Sequence, residues 1–183
     1  MVTGLLQTKP SDVRLSPQDS NEIVDACVKM AVVKTGALIV IERNVSMGDI
    51  VSASGVTVDA VISSQLLINI FEDKTPLHDG AVIIRDNRVA AASCILPVTQ
   101  SEIGQELGTR HRAAVGASEV SDAFIIVVSE ETGKISIARD GKLEKAVSEA
   151  VFRQELLNLC EKTTPAGAKA INKIWKGMSR HDK

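Results

Sequence analysis

The chain contains no tyrosine, three phenylalanines and one tryptophan, so only 2% of its 183 residues are aromatic. With 44% hydrophobic residues all the same, its core has to be aliphatic, filled by Val, Ile, Leu and Ala. An excess of charge is also missing: 21 Lys and Arg stand against 23 Asp and Glu, a net charge of −2. That argues against a general nucleic-acid binder, which carries a basic surplus, but leaves room for a local basic cluster that binds a compact anion. The three cysteines, Cys27, Cys94 and Cys160, lie far apart inside apolar patterns. An odd, scattered set reads as reduced core thiols, not as a disulfide framework or a zinc site. Long apolar runs are lacking too. "GALIVIE" and "FIIVV" fall far short of the roughly 20 residues that a bilayer requires, and "MVTGLLQTKP" has neither the apolar core nor the cleavage site of a signal peptide. The expectation is a soluble, cytoplasmic protein with one sizeable core, since a second full domain would be crowded at this length.

Local signals divide the chain into alternating elements. In "SPQDSNEIVDACVKMAVVK", Ser16 can cap a helix, Pro17 suits its first position and Asp19 supplies the capping-box acceptor. Ile23, Cys27, Met30 and Ala31 then recur at helical spacing. "ALIVIER" after Gly36 is short and β-branched, a buried strand. Residues 44–62 carry Gly48, Ser52, Ser54 and Gly55 and read as a short helix and a short strand. Ser63 caps "SQLLINIF", with Leu67, Ile70 and Phe71 facing inward. "AVIIR" and "RVAAASCIL" flank Asp86-Asn87, a tight hairpin turn. "AFIIVVSEE" and "KISIAR" flank Thr132-Gly133, and Asp140-Gly141 ends the second of these strands. Between the hairpins "RHRAAVGASEV" is helical, introduced by Gly108 and Thr109. Ser148 caps a helix with Phe152, Leu156, Leu159 and Cys160 on one stripe; Thr164-Pro165 opens another with Ala168, Ile171, Trp175 and Met178. The expected fold is α/β of the α+β type: a central mixed, largely antiparallel sheet surrounded by helices.

Two charged stretches stand out from this scaffold. "GTRHRA" combines a helix start with Arg110, His111 and Arg112. Exposed backbone N–H groups, a capping hydroxyl from Thr109 and the helix dipole all favour an anion there, and guanidinium groups match phosphate oxygens. The plainer reading is a solvated basic helix end whose arginines pair with surface carboxylates. Against it, the positive end of a helix is a poor place for cations unless an anion joins them. "LHDGA" puts His78 and Asp79 before Gly80 and Ala81 at the mouth of a strand. Asp79 can accept a proton from a hydroxyl or bind Mg²⁺ or Mn²⁺ through oxygen, and Gly80 permits close approach of another backbone or a nucleotide. His78 is either a metal ligand or, more ordinarily, a partner for a local backbone group. "VSEETG" adds Ser129, Glu130 and Glu131 at the end of an apolar strand, where Glu131-Thr132-Gly133 reads mostly as a turn.

Taken together, "PLHDGAVII", "LGTRHRAAVG" and "SDAFIIVVSEETGKIS", in this order and spacing, resemble the diadenylate cyclase domain, in particular that of the membrane-anchored class. The resemblance runs from about "GALIVIER" to "DGKL", well over half of the chain. It implies condensation of two ATP molecules into cyclic di-AMP with release of two pyrophosphates, dependent on Mg²⁺, Mn²⁺ or Co²⁺. By resemblance, Asp79 assists the attacking 3′-hydroxyl and holds the metal, with His78 as a further candidate ligand. Gly80 and Ala81 line the nucleotide site. Gly108, Thr109, Arg110, His111 and Arg112 match the motif that grips phosphates, Ser129 matches a phosphate-contacting serine, and Glu130 and Glu131 match acidic residues near the metal and the partner site. Leu96 falls where backbone groups recognise adenine. Ile95 stands where relatives often carry a tyrosine, so aliphatic packing replaces stacking on the base.

The resemblance further implies a transient homodimer that completes the site between two face-to-face subunits. Membrane association is expected only through a segment absent from this chain. The catalytic domain is expected over 16–147 and a C-terminal helical extension over 148–183. A catalytically silent ATP or cyclic-dinucleotide sensor is the alternative, and it would keep the phosphate grip without turnover. A plain interaction module leaves the charged motifs without a purpose.

Overall fold

A computed structural model describes residues 15–102 and 107–161. Among these residues, five helices and seven strands follow in the order α1 (Pro17–Val33), β1 (Ala37–Ile41), α2 (Gly48–Ser54), β2 (Val56–Val61), α3 (Ser64–Phe71), β3 (Ala81–Arg85), β4 (Arg88–Cys94), α4 (Thr109–Glu119), β5 (Phe124–Val128), β6 (Ile135–Arg139), β7 (Lys142–Glu144) and α5 (Glu149–Glu161). The start of α1 is set as the sequence predicts: Asp19 N donates to Ser16 Oγ at 3.0 Å, with Pro17 at the first helical position. Lys34, in the left-handed region at φ 58°, closes it. Ser63 Oγ caps α3 by accepting from Leu66 N at 3.2 Å, and Ser148 Oγ caps α5 by accepting from Val151 N at 3.3 Å. The helix expected after Thr164-Pro165 lies outside the described residues.

The strands form one sheet in the order β2-β4-β3-β1-β5-β6-β7. Only β1 and β3 run parallel, through Ile39 opposite Val82 and Ile41 opposite Ile84; the remaining five pairings are antiparallel. Asp86 and Asn87, at φ 52° and 57°, make the tight turn between β3 and β4. Asp140-Gly141 does not simply end β6. It turns the chain, with φ 51° and 70°, into the short edge strand β7 that the sequence reading missed. Three residues of alternating exposure are too few to register as a strand by pattern alone.

Both faces of the sheet are covered, which is why β1 and β5 are buried at every position. On one face α1, α3 and α5 pack over Ile39, Ile41, Val82, Ile84 and Ile126, with Phe71, Phe152 and Leu156 fully enclosed. On the other, Leu38, Val40, Ile83 and Ile125 meet the alanines of α4 and the side of α2. Cys27 and Cys94 are wholly enclosed; burial pushes their thiols up to about 12 and about 11, which leaves them inert core residues.

Helix α4 presents Ala113, Ala114, Gly116 and Ala117, with little or no side chain, to its neighbours, and main chain approaches it closely at Gly116. A Cβ on Gly116 would lie 2.3 Å from Pro97 O and 2.5 Å from Thr99 N, both main-chain atoms that cannot swing aside. Thr99 N also donates to Arg112 O at 3.1 Å, so the segment after β4 is stitched to the first turns of α4. Gly116→Ala should therefore destabilise the fold by about 1–3 kcal/mol through overpacking. In an open helix the same change would stabilise it. Urea unfolding of the two proteins checks the sign.

Candidate active site

The parallel pair brings the starts of β1 and β3 to one end of the sheet, and the antiparallel strands bring the ends of β4 and β5 there too. Ala37 pairs with Val128 and Ala81 with Cys94. Gly36, Asp79-Gly80, Ile95-Leu96 and Ser129-Glu130-Glu131 thus emerge on a common rim, and α4 begins beside it.

A cleft of about 300 Å³ opens at this rim, and its walls include Gly108, Thr109, Arg110, His111, Ser129, Glu130 and Glu131. Seven of the residues singled out from the sequence are therefore gathered in one place. Lys134, Ser136 and Lys145 line it as well; sequence reasoning missed these. Lys134 directly follows the Gly133 turn and was within reach of a closer reading, whereas Lys145 stands in no motif and only the fold brings it in.

The start of α4 differs in one respect from expectation. Gly108 is the N-cap, Thr109 is already the first helical residue, and no side-chain hydrogen bond caps the helix. The Thr109 hydroxyl lies one position too late to serve as a cap, which requires a side chain at the residue before the helix. The first N–H groups thus stay available to an anion. Arg110 forms an ion pair with Glu130 across the cleft, and the Nε atoms of both Arg110 and Arg112 are buried without a hydrogen-bond partner. Residues two apart on a helix lie on different faces, and Arg112, unlike Arg110, does not line the cleft.

Asp79, Gly80, Ala81 and Leu96 also fall outside the lining of this cleft. Asp79 is exposed at the rim. Gly80 has φ 94°, and a Cβ there would approach Cys94 O to 2.8 Å, so this position demands glycine both for its backbone and for its closeness to β4. Ser93, at φ 56°, kinks the end of β4. Beyond the kink Leu96 is buried while Ile95 is 74% exposed. Ile95 N donates to Ser54 Oγ at 2.9 Å, and Ser54 Oγ donates to Ile50 O at 3.1 Å; α2 thereby holds the segment expected to meet the base. His78 Nδ1 is 2.6 Å from Thr75 O, a contact to an acceptor-only oxygen that requires the proton on Nδ1. Its Nε2 is 3.9 Å from Asp73 Oδ1. Among the described residues no group of three His, Cys, Asp or Glu is placed to hold a metal ion.

The family is shown by comparison with known proteins. Residues 24–143 match the DAC family, described as DisA bacterial checkpoint controller nucleotide-binding, and the chain belongs to that family. It is similar to the cyclic di-AMP synthase CdaA of Bacillus subtilis, with 51% identity over 135 residues that make up 73% of this chain and 49% of that protein. It is also similar to the diadenylate cyclase of Listeria monocytogenes (strain 10403S), with 50% identity over 149 residues, 81% of this chain and 54% of that protein. The chain thus spans about half the length of these curated relatives. Among solved structures, a double mutant of DacA from Staphylococcus aureus superposes with a TM-score of 0.76 and 45% identity, covering 79% of this chain and 96% of that one. A hypothetical membrane spanning protein from Bacillus cereus matches with a TM-score of 0.66 and 46% identity, over 72% of this chain and 64% of that one. In this chain, no helix among the described residues is long and apolar enough to cross a membrane.

His111 provides a probe of the cleft. Its burial, reinforced by the nearby Lys145 ammonium and opposed by Glu131, holds its pKa below the usual 6.5. A histidine depressed in this way stabilises the fold above its unfolded pKa and loses that contribution as pH falls from about 6.5 toward the folded value. Imidazole NMR should show the His111 midpoint below 6.5, moving up in Lys145→Met and down in Glu131→Gln.

Proposed function

We propose that this chain is the catalytic part of a diadenylate cyclase, which joins two ATP molecules into cyclic di-AMP and releases two pyrophosphates. The observation that carries the reading is the division of the rim. The Arg110 cleft offers an uncapped helix start and a guanidinium, while Asp79 stands outside it on the neighbouring strand start. One chain then has one phosphate grip and one Asp79, and Asp79 does not line the cleft that holds the grip.

The reaction requires each 3′-hydroxyl to attack the α-phosphorus of the other ATP, forming two P–O bonds as two P–O bonds to pyrophosphate break. In phosphoryl-type transfer the protein mainly positions the reactants and neutralises charge. Arg110, the first N–H groups of α4 and Ser129 hold the phosphates on one side of the helix, and Arg112 contributes on the other. The Ile95-Leu96 main chain, tied to α2, presents backbone groups to adenine. Gly80 and Ala81 let the nucleotide approach the end of β4. Asp79 accepts the proton that the 3′-hydroxyl loses. The donor set near Asp79 is too small for a protein-only metal site, but Mg²⁺-like ions are commonly held by one or two carboxylates together with substrate phosphates. Asp79 fits that mode, with His78 and the acidic pair Glu130 and Glu131 as further candidates. A divalent ion bound there would offset the charge that develops on the phosphates.

Two face-to-face copies related by a two-fold axis bring each Asp79 to the partner's cleft. This pairing is transient, since a permanently closed face would trap the product. The catalytic unit is residues 16–147, and the helical extension that begins at 148 packs on it through Phe152 and Leu156 of α5. The relative from Bacillus cereus is described as membrane spanning; by that likeness the catalytic part works on the cytoplasmic side of a membrane, where ATP is available.

Incubation with ATP and Mn²⁺ or Mg²⁺, with cyclic di-AMP measured by mass spectrometry, tests the activity. Absence of product under saturating ATP leaves the silent nucleotide sensor as the better reading. Asp79→Asn should abolish turnover while the thermal midpoint and ATP binding stay near wild type, because the charge needed for proton acceptance is lost and the shape is kept. An active Asp79→Asn protein would remove this residue from the mechanism.

Specific activity should rise with protein concentration in dilute solution and level off once dimers dominate. Excess Asp79→Asn protein should poison wild type through mixed dimers. Flat specific activity down to concentrations at which light scattering shows only monomer would overturn the shared site.

A further inference from the structure

We infer that Gly36 is a positioning residue for the phosphate grip: the absence of a side chain there lets the Arg110 guanidinium lie down on the end of the sheet. Gly36 is buried immediately before β1, whose first residue, Ala37, pairs with Val128. The strand partner runs on directly into Ser129 and Glu130. A Cβ on Gly36 would fall 2.6 Å from Arg110 Nη1, 2.8 Å from Arg110 Cζ and 2.9 Å from Glu130 Oε2. The ion pair of Arg110 and Glu130 therefore rests on the bare α-carbon of Gly36. Arg110 is only 22% exposed in this position, whereas Glu130 is 63% exposed. The guanidinium is thus held from beneath, and its carboxylate partner is the member open to solvent.

The chemistry of the three close contacts separates this glycine from the others. Gly36 does not have a positive φ, so its backbone accepts alanine without strain. The atoms in the way are the far ends of two flexible side chains, which can shift, unlike the main-chain atoms that crowd Gly116 and Gly80. Alanine at 36 therefore leaves the fold intact and displaces Arg110 and Glu130 together. Displacement by about 1 Å suffices to misplace a bidentate charged contact. Gly36 does not touch the phosphate itself; it acts through Arg110.

This inference rests on the reading above only in that Arg110 meets phosphate, so inorganic triphosphate is the probe and binding is measured by calorimetry on the full chain. Gly36→Ala should keep the thermal midpoint within about 2 °C of wild type and weaken triphosphate binding about ten-fold, the scale of one charge-assisted hydrogen bond. In cyclase assays the loss should appear in KM for ATP more than in kcat. In an Arg110→Ala background the further change of Gly36 to Ala should have no effect on binding, because the group it displaces is gone. Unchanged triphosphate affinity in Gly36→Ala would overturn the inference. So would an undiminished loss in the Arg110→Ala background, or a collapse of the thermal midpoint, which would make Gly36 a folding residue. Wild type that binds triphosphate yet makes no cyclic di-AMP would sink the cyclase reading alone and leave the binding test of Gly36 standing.

Discussion

The parallel pairing of β1 with β3 is the constraint on which everything at the site depends. In a sheet that is otherwise antiparallel, this single pair places two strand starts side by side, with Gly36 before one and Asp79-Gly80 before the other. The flanking strands β4 and β5 run the opposite way, so their ends, carrying Ile95-Leu96 and Ser129-Glu130-Glu131, arrive on the same rim. A one-residue slip of β1 against β3 would turn Ile39 and Ile41 from the larger core to the other face. Complete burial of β1, β5 and most of β3 makes such a slip costly. The hydrophobic core, in which Leu96 is itself seated, thus fixes the relative heights of the polar groups at the rim.

Electrostatics at the rim follow from what the fold leaves unspent. A helix that starts at a glycine cap offers its first N–H groups outward, and Arg110 adds full positive charge where the helix dipole already disfavours cations. Without a nucleotide, Glu130 supplies the balancing charge. That pair is partly exposed and so adds little to stability; its weight lies in keeping a cation at the positive end of α4. The two buried Nε atoms of Arg110 and Arg112 have no such compensation, and an unpaired buried donor is costly. Placing two guanidinium groups on different faces of one helix start makes sense if anions approach α4 from both sides.

Much of this architecture was legible in the sequence because it is written in local, periodic signals. Ser16-Pro17, Ser63 and Ser148 announce helix starts by capping chemistry, and Asp86-Asn87 announces a hairpin because these residue types tolerate the left-handed conformation they adopt there. The residues of the Arg110 cleft were legible because charged motifs that break an apolar pattern are conspicuous. What stayed hidden depends on contacts far apart in the chain. Lys145 reaches the cleft only through the β6-β7 hairpin, itself too short to show a period. The anchoring of Ile95 by Ser54 joins residues 41 positions apart. The misplacement of the Thr109 hydroxyl came from a helix boundary off by one residue, the scale on which sequence reading of boundaries fails.

Glycine is the least legible residue of all, since the same letter stands for different physical demands. At Gly80 it serves a positive φ and a close strand end; at Gly116 it lets a helix press against main chain. At Gly36 neither applies, and only the position of a guanidinium remote in sequence, that of Arg110, gives the missing Cβ a meaning. The three cases differ in which atoms would have to move, backbone in the first two and side-chain ends in the third. Backbone crowding couples a residue to stability, while crowding of flexible charged ends couples it to whatever those ends bind. A fold can therefore hold a functional constraint at a buried glycine that contributes almost nothing to holding the fold together.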